Sequence, residues 1–225
     1  MKCDIKIMAV PTRMANVVAL CGQLGLTIND VFCDYKMQRK PLYTSRGAFM
    51  LPYADGITHR LVLQDDVMIC DNLQEFCDML VNRYPNDIIT LFYNQHRKLK
   101  ITDAPPCVRR VRSMTGQGII IPRKYIADIF SFLDKHNPDY PHDDAYYNLY
   151  CKLHKLRILC PIPNVINTRE DINSEMDNYG IYAPISIRAD IETNPLNIHW
   201  EDKTKEPAIG VCPITMEMIM NNENR

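Results

Sequence analysis

Strand-like and helix-like segments alternate along the first two-thirds of this chain, and the alternation constrains the fold more than any other feature. Short apolar runs predict strands, and apolar residues at spacings of three and four predict helices. The predicted strands cover residues 5–10, 30–35, 58–64, 87–93, 108–114 and 118–121, with a further short strand near Ile158. The predicted helices cover residues 12–24, 42–51, 72–83, 122–135 and 143–156. This order predicts an α/β fold with a mostly parallel sheet flanked by helices.

The regular pattern weakens from about residue 164, where asparagine, proline and acidic residues dominate. We therefore expect one domain over residues 1–168. The remainder, residues 169–225, is expected to be an extension that packs on this domain or is partly mobile.

Composition narrows the range of functions. The net charge of -1 provides no global field that would attract the protein to DNA or to a membrane. Nine cysteines, an odd number without a C-x-x-C pair, favour buried free thiols in a reducing compartment over a disulfide framework or a zinc site. No apolar run approaches the roughly 18 residues of a membrane span. These features predict a soluble, cytoplasmic protein.

An adjacent pair of acidic residues ends the most apolar predicted strand, in the segment HRLVLQDDVMI (residues 59–69). Two carboxylates at the end of a buried strand are costly unless their charge is compensated. A divalent cation such as Mn²⁺ or Mg²⁺ that bridges to a diphosphate would compensate it. The alternative is that Asp65 and Asp66 cap the following turn with their carboxylates in water.

A second acidic pair, Asp143 and Asp144, opens a predicted helix in the segment PHDDAYYNLY (residues 141–150). One interpretation is a helix cap, because a carboxylate interacts favourably with the free N–H groups of a first turn. The other is a general base that removes a proton from an acceptor hydroxyl. Nothing in the local sequence separates the two.

A glycine turn lies between the two acidic pairs, in the segment SMTGQGIIIPR (residues 113–123). Gly116 and Gly118, on either side of Gln117, would allow a ligand to approach the backbone closely. An ordinary turn into a strand explains the same residues.

Taken in order along the chain, these segments resemble the glycosyltransferases of the GT-A fold. The series is an apolar strand, Pro-Thr-Arg, an apolar strand that ends in an Asp pair, a glycine turn, and an Asp pair on a helix. The chain is most similar to the small bacterial and phage-type enzymes, which carry an L-V-L-E-D-D form of the D-x-D metal motif. The resemblance covers roughly residues 3–168.

The resemblance implies a function and a set of site residues. It implies a metal-dependent glycosyltransferase of the inverting type that takes a nucleotide sugar, such as a UDP-sugar, as its donor. The implied donor-binding residues are Pro11, Thr12, Arg13, Asp34, Arg46 and Asp65. The implied metal ligands are Asp66 and Asp65, the implied acceptor-binding residues are Gly116, Gln117 and Gly118, and the implied catalytic base is Asp144 or Asp143.

The chain departs from the family pattern at two positions. Gln64 stands where the motif has an acid, and Asn167 stands where many relatives carry a late metal-binding histidine. His199 is a candidate substitute for that histidine, although a lone histidine beside Trp200 more often has a packing role.

The acceptor is expected to be either a saccharide or a hydroxymethylated base in phage DNA. The second option derives from the basic residues between the metal motif and the glycine turn, which in a near-neutral protein would contact a polyanion. These residues are His96, Arg97, Lys98, Lys100, Arg109, Arg110 and Arg112. A solvated charged edge is the alternative interpretation.

Two other classes of function are alternatives to a glycosyltransferase. A nucleotidyltransferase or a phosphoesterase would be expected to show a glycine- and lysine-rich phosphate loop or a dense His/Asp cluster, and the sequence has neither. A non-catalytic nucleotide-sugar-binding module of the same fold is the main alternative, because Gln64 and Asn167 both weaken the metal motif.

Overall fold

The structure is a computed structural model that describes residues 1–36, 41–93, 105–135, 143–169 and 194–210. Its strands are β1 (Cys3–Ala9), β2 (Val31–Cys33), β3 (His59–Gln64), β4 (Val67–Ile69), β5 (Ile88–Thr90), β6 (Cys107–Val111), β7 (Gly118–Pro122), β8 (Ile158–Ile162), β9 (Ile166–Thr168) and β10 (Glu201–Lys203). Its α-helices are α1 (Met14–Leu24), α2 (Pro41–Phe49), α3 (Leu73–Arg83), α4 (Arg123–Lys135) and α5 (Asp143–Leu153).

Eight strands form one large sheet in the order β10-β6-β8-β5-β7-β3-β1-β2. Four of its neighbouring pairs are parallel, namely β10–β6, β8–β5, β3–β1 and β1–β2. The other three pairs, β3–β7, β5–β7 and β6–β8, are antiparallel. The predicted α/β class with a mostly parallel sheet is confirmed. The direction of β7 was not predictable, because a strand buried on both faces has the same continuous apolar sequence in either direction.

Helices cover both faces of the sheet and create two hydrophobic layers. Helices α1 and α3 pack on one face, where Leu20, Phe76 and Leu80 join the sheet residues in one core. Helices α2, α4 and α5 pack on the other face, where Phe49 and Phe130 belong to a second core. Burial on both faces explains why the central strands consist almost entirely of apolar residues.

Arg60 is an unexpected member of the buried strand β3, because its side chain is fully inaccessible to solvent. Its guanidinium forms a bidentate ion pair with Asp4 of β1, with Nε–Oδ1 and Nη2–Oδ2 distances of 2.9 and 2.6 Å. It also donates to the carbonyl of Phe49, the last residue of α2, at 2.9 Å, and to Pro52 O just beyond the helix at 3.0 Å. The side chain thus joins the end of α2 to the centre of the sheet.

Three short strands were absent from the sequence prediction. Strands β4 and β9 form a separate two-stranded antiparallel sheet, and β10 extends the large sheet beside β6. Each of the three has only three residues.

The segment 194–210 packs against the domain. Trp200 is buried against Phe76 of α3, with ring centroids 5.2 Å apart, and its indole N–H donates to Pro195 O. Within the described residues, eight cysteines are free thiols and six of these are buried. None of the described helices has the length and apolar character needed to cross a membrane.

Two helical glycines provide a test of how tightly the helices pack. A Cβ at Gly47 of α2 would overlap the ring of Phe32 on β2, whereas a Cβ at Gly22 of α1 would have no atom within 4 Å. We expect Gly47→Ala to lower the free energy of unfolding by about 1–3 kcal/mol through overpacking. Gly22→Ala, the matched control, should raise it by about 0.5–1 kcal/mol because alanine favours the helix. Urea unfolding of both variants measures the difference, and equal effects would contradict the packing of α2 on β2.

Candidate functional site

The residues that the resemblance assigns to the donor, the metal, the acceptor and the base lie, with the exception of Arg46, at one edge of the large sheet. This edge, called here the carboxyl edge, is where β1 ends at Ala9, β3 ends at Gln64 and β7 begins at Gly118. Ligands of α/β sheets bind at the carboxyl ends of the strands. The topology therefore places the candidate residues where a ligand is expected.

Asp65 and Asp66 form the turn that follows β3, and a single arginine bridges them. Arg13 Nη1 lies 2.9 Å from Asp65 Oδ1 and 2.9 Å from Asp66 Oδ2. The other oxygen of Asp65 accepts a hydrogen bond from the Val10 N–H at 2.9 Å. The two carboxylates are mostly buried, with side-chain exposures of 5% and 19%. They are therefore not turn caps directed into bulk water.

The environment of this pair is costly for negative charge. Burial raises the pKa of Asp65 above its ordinary value, although the Val10 amide and Arg13 oppose that shift. Arg13 supplies one positive charge for two carboxylates. Asp66 Oδ1 is buried and has no hydrogen-bond partner among the described residues. A buried carboxylate oxygen without a donor is unusual, since such atoms are normally satisfied.

We tested whether these residues fit a divalent cation. Among the described residues, no cluster of three or more His, Cys, Asp or Glu side chains is arranged to hold a metal. Mg²⁺ sites, however, often use one or two carboxylates and complete their coordination with substrate phosphates and water. The buried Asp66 Oδ1 is an oxygen donor of the required kind. The pair therefore fits a cation that shares its coordination sphere with a bound diphosphate.

The second acidic pair lies at the start of α5. Asp143 is buried, is the first residue of α5, and accepts a hydrogen bond from the Asp144 N–H at 2.9 Å through Oδ1. Asp144 keeps some accessible surface. Burial, and next the charge of Asp143, raise the pKa of Asp144 to about 7. A carboxyl group with that pKa exchanges protons near neutral pH, as a general base must.

The glycine turn brings the end of β3 and the start of α5 together. A Cβ on Gly116 would lie 2.9 Å from Gln64 Nε2 and 3.2 Å from Asp143 Oδ1. Only a residue without a side chain allows both groups to stay in place. Gly116 therefore marks the point where the two acidic motifs approach each other, although 79 positions separate Gln64 from Asp143 in the sequence.

The other two residues of the glycine turn continue this edge. Gln117 O accepts a hydrogen bond from the Gln64 N–H, and Gly118 O accepts one from the Leu91 N–H. Gln117 Oε1 is buried and has no hydrogen-bond partner among the described residues. The predicted acceptor contacts of Gly116, Gln117 and Gly118 remain predictions.

The predicted donor-binding residues divide into two groups. Pro11 and Thr12 lie in the 3-10 turn Pro11–Arg13 that follows β1, and Asp34 follows β2 and donates its backbone N–H to Ala9 O. All three lie at the carboxyl edge. Arg46 is in the last turn of α2, where it pairs with Asp134 of α4 and lies 5.3 Å from the centroid of the Phe130 ring. The contacts of these residues with a donor remain predictions.

The positions that depart from the family pattern also have clear locations. Asn167 is buried on β9, opposite Met68 of β4. Two residues later, just after β9 ends, the Arg169 N–H donates to Asp66 O at 2.8 Å. Asn167 thus lies on the strand whose end bonds to the backbone of Asp66, and its own side-chain oxygen accepts from the Thr168 N–H. His199 is exposed next to Trp200, on the face of the sheet that α3 covers.

Part of the basic cluster falls within the structure. Arg109 of β6 pairs with Glu206 at 3.4 Å, and Arg112 donates through Nε to Ala208 O. These arginines therefore hold the segment 194–210 against β6. His96, Arg97, Lys98 and Lys100 lie outside the described residues.

One feature of the site escaped the sequence prediction, namely the bridging role of Arg13. Its position in Pro-Thr-Arg after the first strand indicates proximity to a ligand. The ion pairs with Asp65 and Asp66 span more than 50 positions in sequence, and spacing alone carries no signal for them.

No family model and no curated protein sequence matches this chain. Among solved structures, A197 from STIV is similar at a TM-score of 0.44 and 11% identity, over 80% of this chain and all of that one. A mutant of the Drosophila beta-1,4-galactosyltransferase 7, in complex with manganese, UDP-Gal and xylobiose, is similar at a TM-score of 0.36 and 11% identity. That similarity covers 77% of this chain and 71% of the transferase. Likeness at these scores does not identify a function.

Proposed function

We propose that the carboxyl edge of the sheet binds a nucleotide-sugar donor together with Mn²⁺ or Mg²⁺ and transfers the sugar to an acceptor hydroxyl. The observation that carries this proposal is the meeting of the two acidic motifs at Gly116, where an added Cβ would lie 2.9 Å from Gln64 Nε2 and 3.2 Å from Asp143 Oδ1. Transfer of a sugar with inversion needs a site that binds the negatively charged nucleotide-sugar donor and, next to it, a base that deprotonates the acceptor. The arrangement supplies a candidate for each.

The donor half of the site contains Asp65, Asp66 and Arg13. Asp66, through its buried Oδ1, would hold the cation, and Asp65 would contact the cation or the ribose. When bound, the cation stabilises negative charge on the departing nucleoside diphosphate as a Lewis acid. Arg13 precedes α1, whose first turn contains no acidic residue, so its positive charge and the helix N-terminus both favour a phosphate group here.

The acceptor half contains Asp143 and Asp144. In this proposal Asp144 removes the proton from the acceptor hydroxyl, and Asp143 fixes the first turn of α5 that carries it. The acceptor oxygen then attacks the anomeric carbon from the face opposite the diphosphate, which inverts the configuration. The raised pKa of Asp144 suits this role because the group is partly ionised near pH 7.

The acceptor is proposed to be a saccharide or a hydroxymethylated base in phage DNA. A duplex acceptor would require the base to be flipped out of the helix. The described arginines of the basic cluster support the DNA option weakly, because Arg109 and Arg112 already contact the segment 194–210. Their structural roles favour the saccharide.

A non-catalytic nucleotide-sugar-binding module is the second candidate. The observation that favours it is the ion pairing of Arg13 with both acids, since an arginine that neutralises the pair makes a metal less necessary. In that case, donor binding would not depend on a divalent cation.

Calorimetric titration with UDP-sugars separates the two candidates. We expect the enzyme to bind its donor substantially more tightly with Mn²⁺ than without it. Asp66→Asn should remove most of that metal-dependent gain, about 10- to 100-fold in affinity, because one charged oxygen ligand is lost.

Asp71→Asn is the matched control, since Asp71 is an exposed carboxylate in the turn that follows β4. It should leave both titrations unchanged. Donor binding that ignores Mn²⁺ in the wild-type protein would favour the binding module. Unchanged metal dependence in Asp66→Asn would remove Asp66 from the metal site.

A further inference from the structure

The side chain of Arg13 occupies the position between the two acids that a cation would take. One nitrogen, Nη1, reaches both Asp65 and Asp66 at 2.9 Å, and only 11% of the arginine side chain is exposed. Charge-assisted hydrogen bonds of this length in a mostly buried setting are strong. Arg13 is therefore an internal counter-ion of the acidic pair.

The remaining bonds of the two acids determine how a metal would enter. Asp65 is bonded through both oxygens, one to Arg13 and one to the Val10 N–H. Asp66 is bonded to Arg13 through Oδ2, while Oδ1 has no hydrogen-bond partner among the described residues. In the part of the chain that the structure describes, Asp66 Oδ1 is therefore the one oxygen of the pair that no hydrogen bond holds, but it is itself buried beneath the site. A metal can reach Asp65 Oδ1 and Asp66 Oδ2, the two oxygens that accept hydrogen bonds from Arg13, only if the Arg13 side chain moves away.

The backbone of Arg13 limits the ways in which it can move. Its N–H donates to Val10 O at 3.1 Å, and α1 begins at the next residue. The guanidinium must therefore leave by rotation of its side chain, at the edge where a diphosphate would lie. A phosphate group offers an arginine two parallel hydrogen bonds and compensates for the carboxylates that it gives up.

We infer that Arg13 couples the binding of the metal to the binding of the diphosphate. Without nucleotide, Arg13 competes with the metal for Asp65 and Asp66. When a diphosphate binds, Arg13 transfers to the phosphate and frees both carboxylates for the metal. By linkage, each ligand strengthens the other by the same factor. This inference rests on the proposed function, in which the same pair holds a metal with a nucleotide.

The test measures Mn²⁺ binding directly, through the electron paramagnetic resonance signal of free Mn²⁺, with and without UDP. For the wild-type protein, UDP should raise the affinity for Mn²⁺ by about 5- to 150-fold, the usual range of coupling between two sites. For Arg13→Gln without UDP, the affinity for Mn²⁺ should exceed the wild-type value by roughly the same factor. The gain from UDP should be smaller in that variant than in the wild type, because only the part that comes from direct contact between the metal and the diphosphate remains.

Two further variants complete the experiment. Arg13→Lys keeps the charge but loses the planar fork, so its Mn²⁺ affinity should fall between those of the wild type and Arg13→Gln. Arg83→Gln alters an exposed arginine that pairs with Asp202, and it should behave as the wild type does. Circular dichroism of each variant verifies that it is folded.

The outcomes separate this inference from the proposed function. If the wild type binds Mn²⁺ with UDP but folded Arg13→Gln and Arg13→Lys bind Mn²⁺ alone no better than the wild type, the coupling role of Arg13 is wrong and the metal site stands. If no protein binds Mn²⁺ with or without UDP, both the metal site and the inference are overturned.

Discussion

Replacement of Asp144 by asparagine is expected to lower kcat for sugar transfer by about 10²- to 10⁴-fold, the usual contribution of a general base. Asparagine keeps the shape of the side chain but cannot accept a proton. Donor affinity should not change, because the donor half of the site lies at the end of β3 and not on α5. Steady-state kinetics and donor titration measure the two quantities separately.

The pH dependence of kcat/KM provides a second test of the role of Asp144. The pKa of Asp144 is raised to about 7, so the base is protonated and inactive at low pH and ionised at high pH. In the wild-type protein, kcat/KM should therefore rise as pH increases through about 7. Asp128→Asn, an exposed carboxylate of α4, is the matched control and should keep both the rate and the pH profile. Near-normal turnover in both Asp143→Asn and Asp144→Asn would remove the assigned base.

Replacement of Arg60 by alanine should lower the free energy of unfolding by about 3–5 kcal/mol, the cost of breaking a buried ion pair by removing one partner. The change leaves Asp4 without its bidentate partner and removes the donor of the carbonyls of Phe49 and Pro52. It also removes the cation that lies 3.6 Å from the centroid of the Tyr53 ring. Denaturant unfolding measures the loss.

The control for Arg60 is a pair of similar chemistry at the surface. Arg83 and Asp202 are 3.5 Å apart, with side-chain exposures of 40% and 43%. Arg83→Ala should cost about 0–1 kcal/mol, as exposed ion pairs usually do. A loss below about 1 kcal/mol for Arg60→Ala would mean that the end of α2 does not depend on this residue.

The sequence predicts much of the fold because the central strands are strongly apolar. Residues 58–64 were predicted as a strand buried on both faces, and β3 is such a strand at the centre of the sheet. The five helices were also predicted, with ends that differ from α1–α5 by a few residues, since hydrophobic spacing of three and four persists over more than two turns in each. Arg60 was the exception, because no local pattern indicates that a charged residue in an apolar strand is paired with Asp4.

The geometry of the candidate site was only partly predictable. The Asp pair follows β3 and Pro-Thr-Arg follows β1, so a parallel arrangement of these two strands is enough to bring the two segments to one edge of the sheet. The bridge from Arg13 to both acids depends on side-chain rotamers, and the closeness of Gly116 to Asp143 depends on how α5 packs on the sheet. Neither property is encoded in residue spacing.

The proposed donor site can be tested most directly by a crystal structure of the protein with UDP and Mn²⁺, with data collected for manganese anomalous scattering. We expect one strong anomalous peak about 2.0–2.3 Å from a carboxylate oxygen of Asp66 and in contact with the diphosphate. We also expect the Arg13 guanidinium to lie against a phosphate. A nucleotide bound elsewhere, or no manganese peak beside Asp66 while Arg13 still bridges the two acids, would contradict the account.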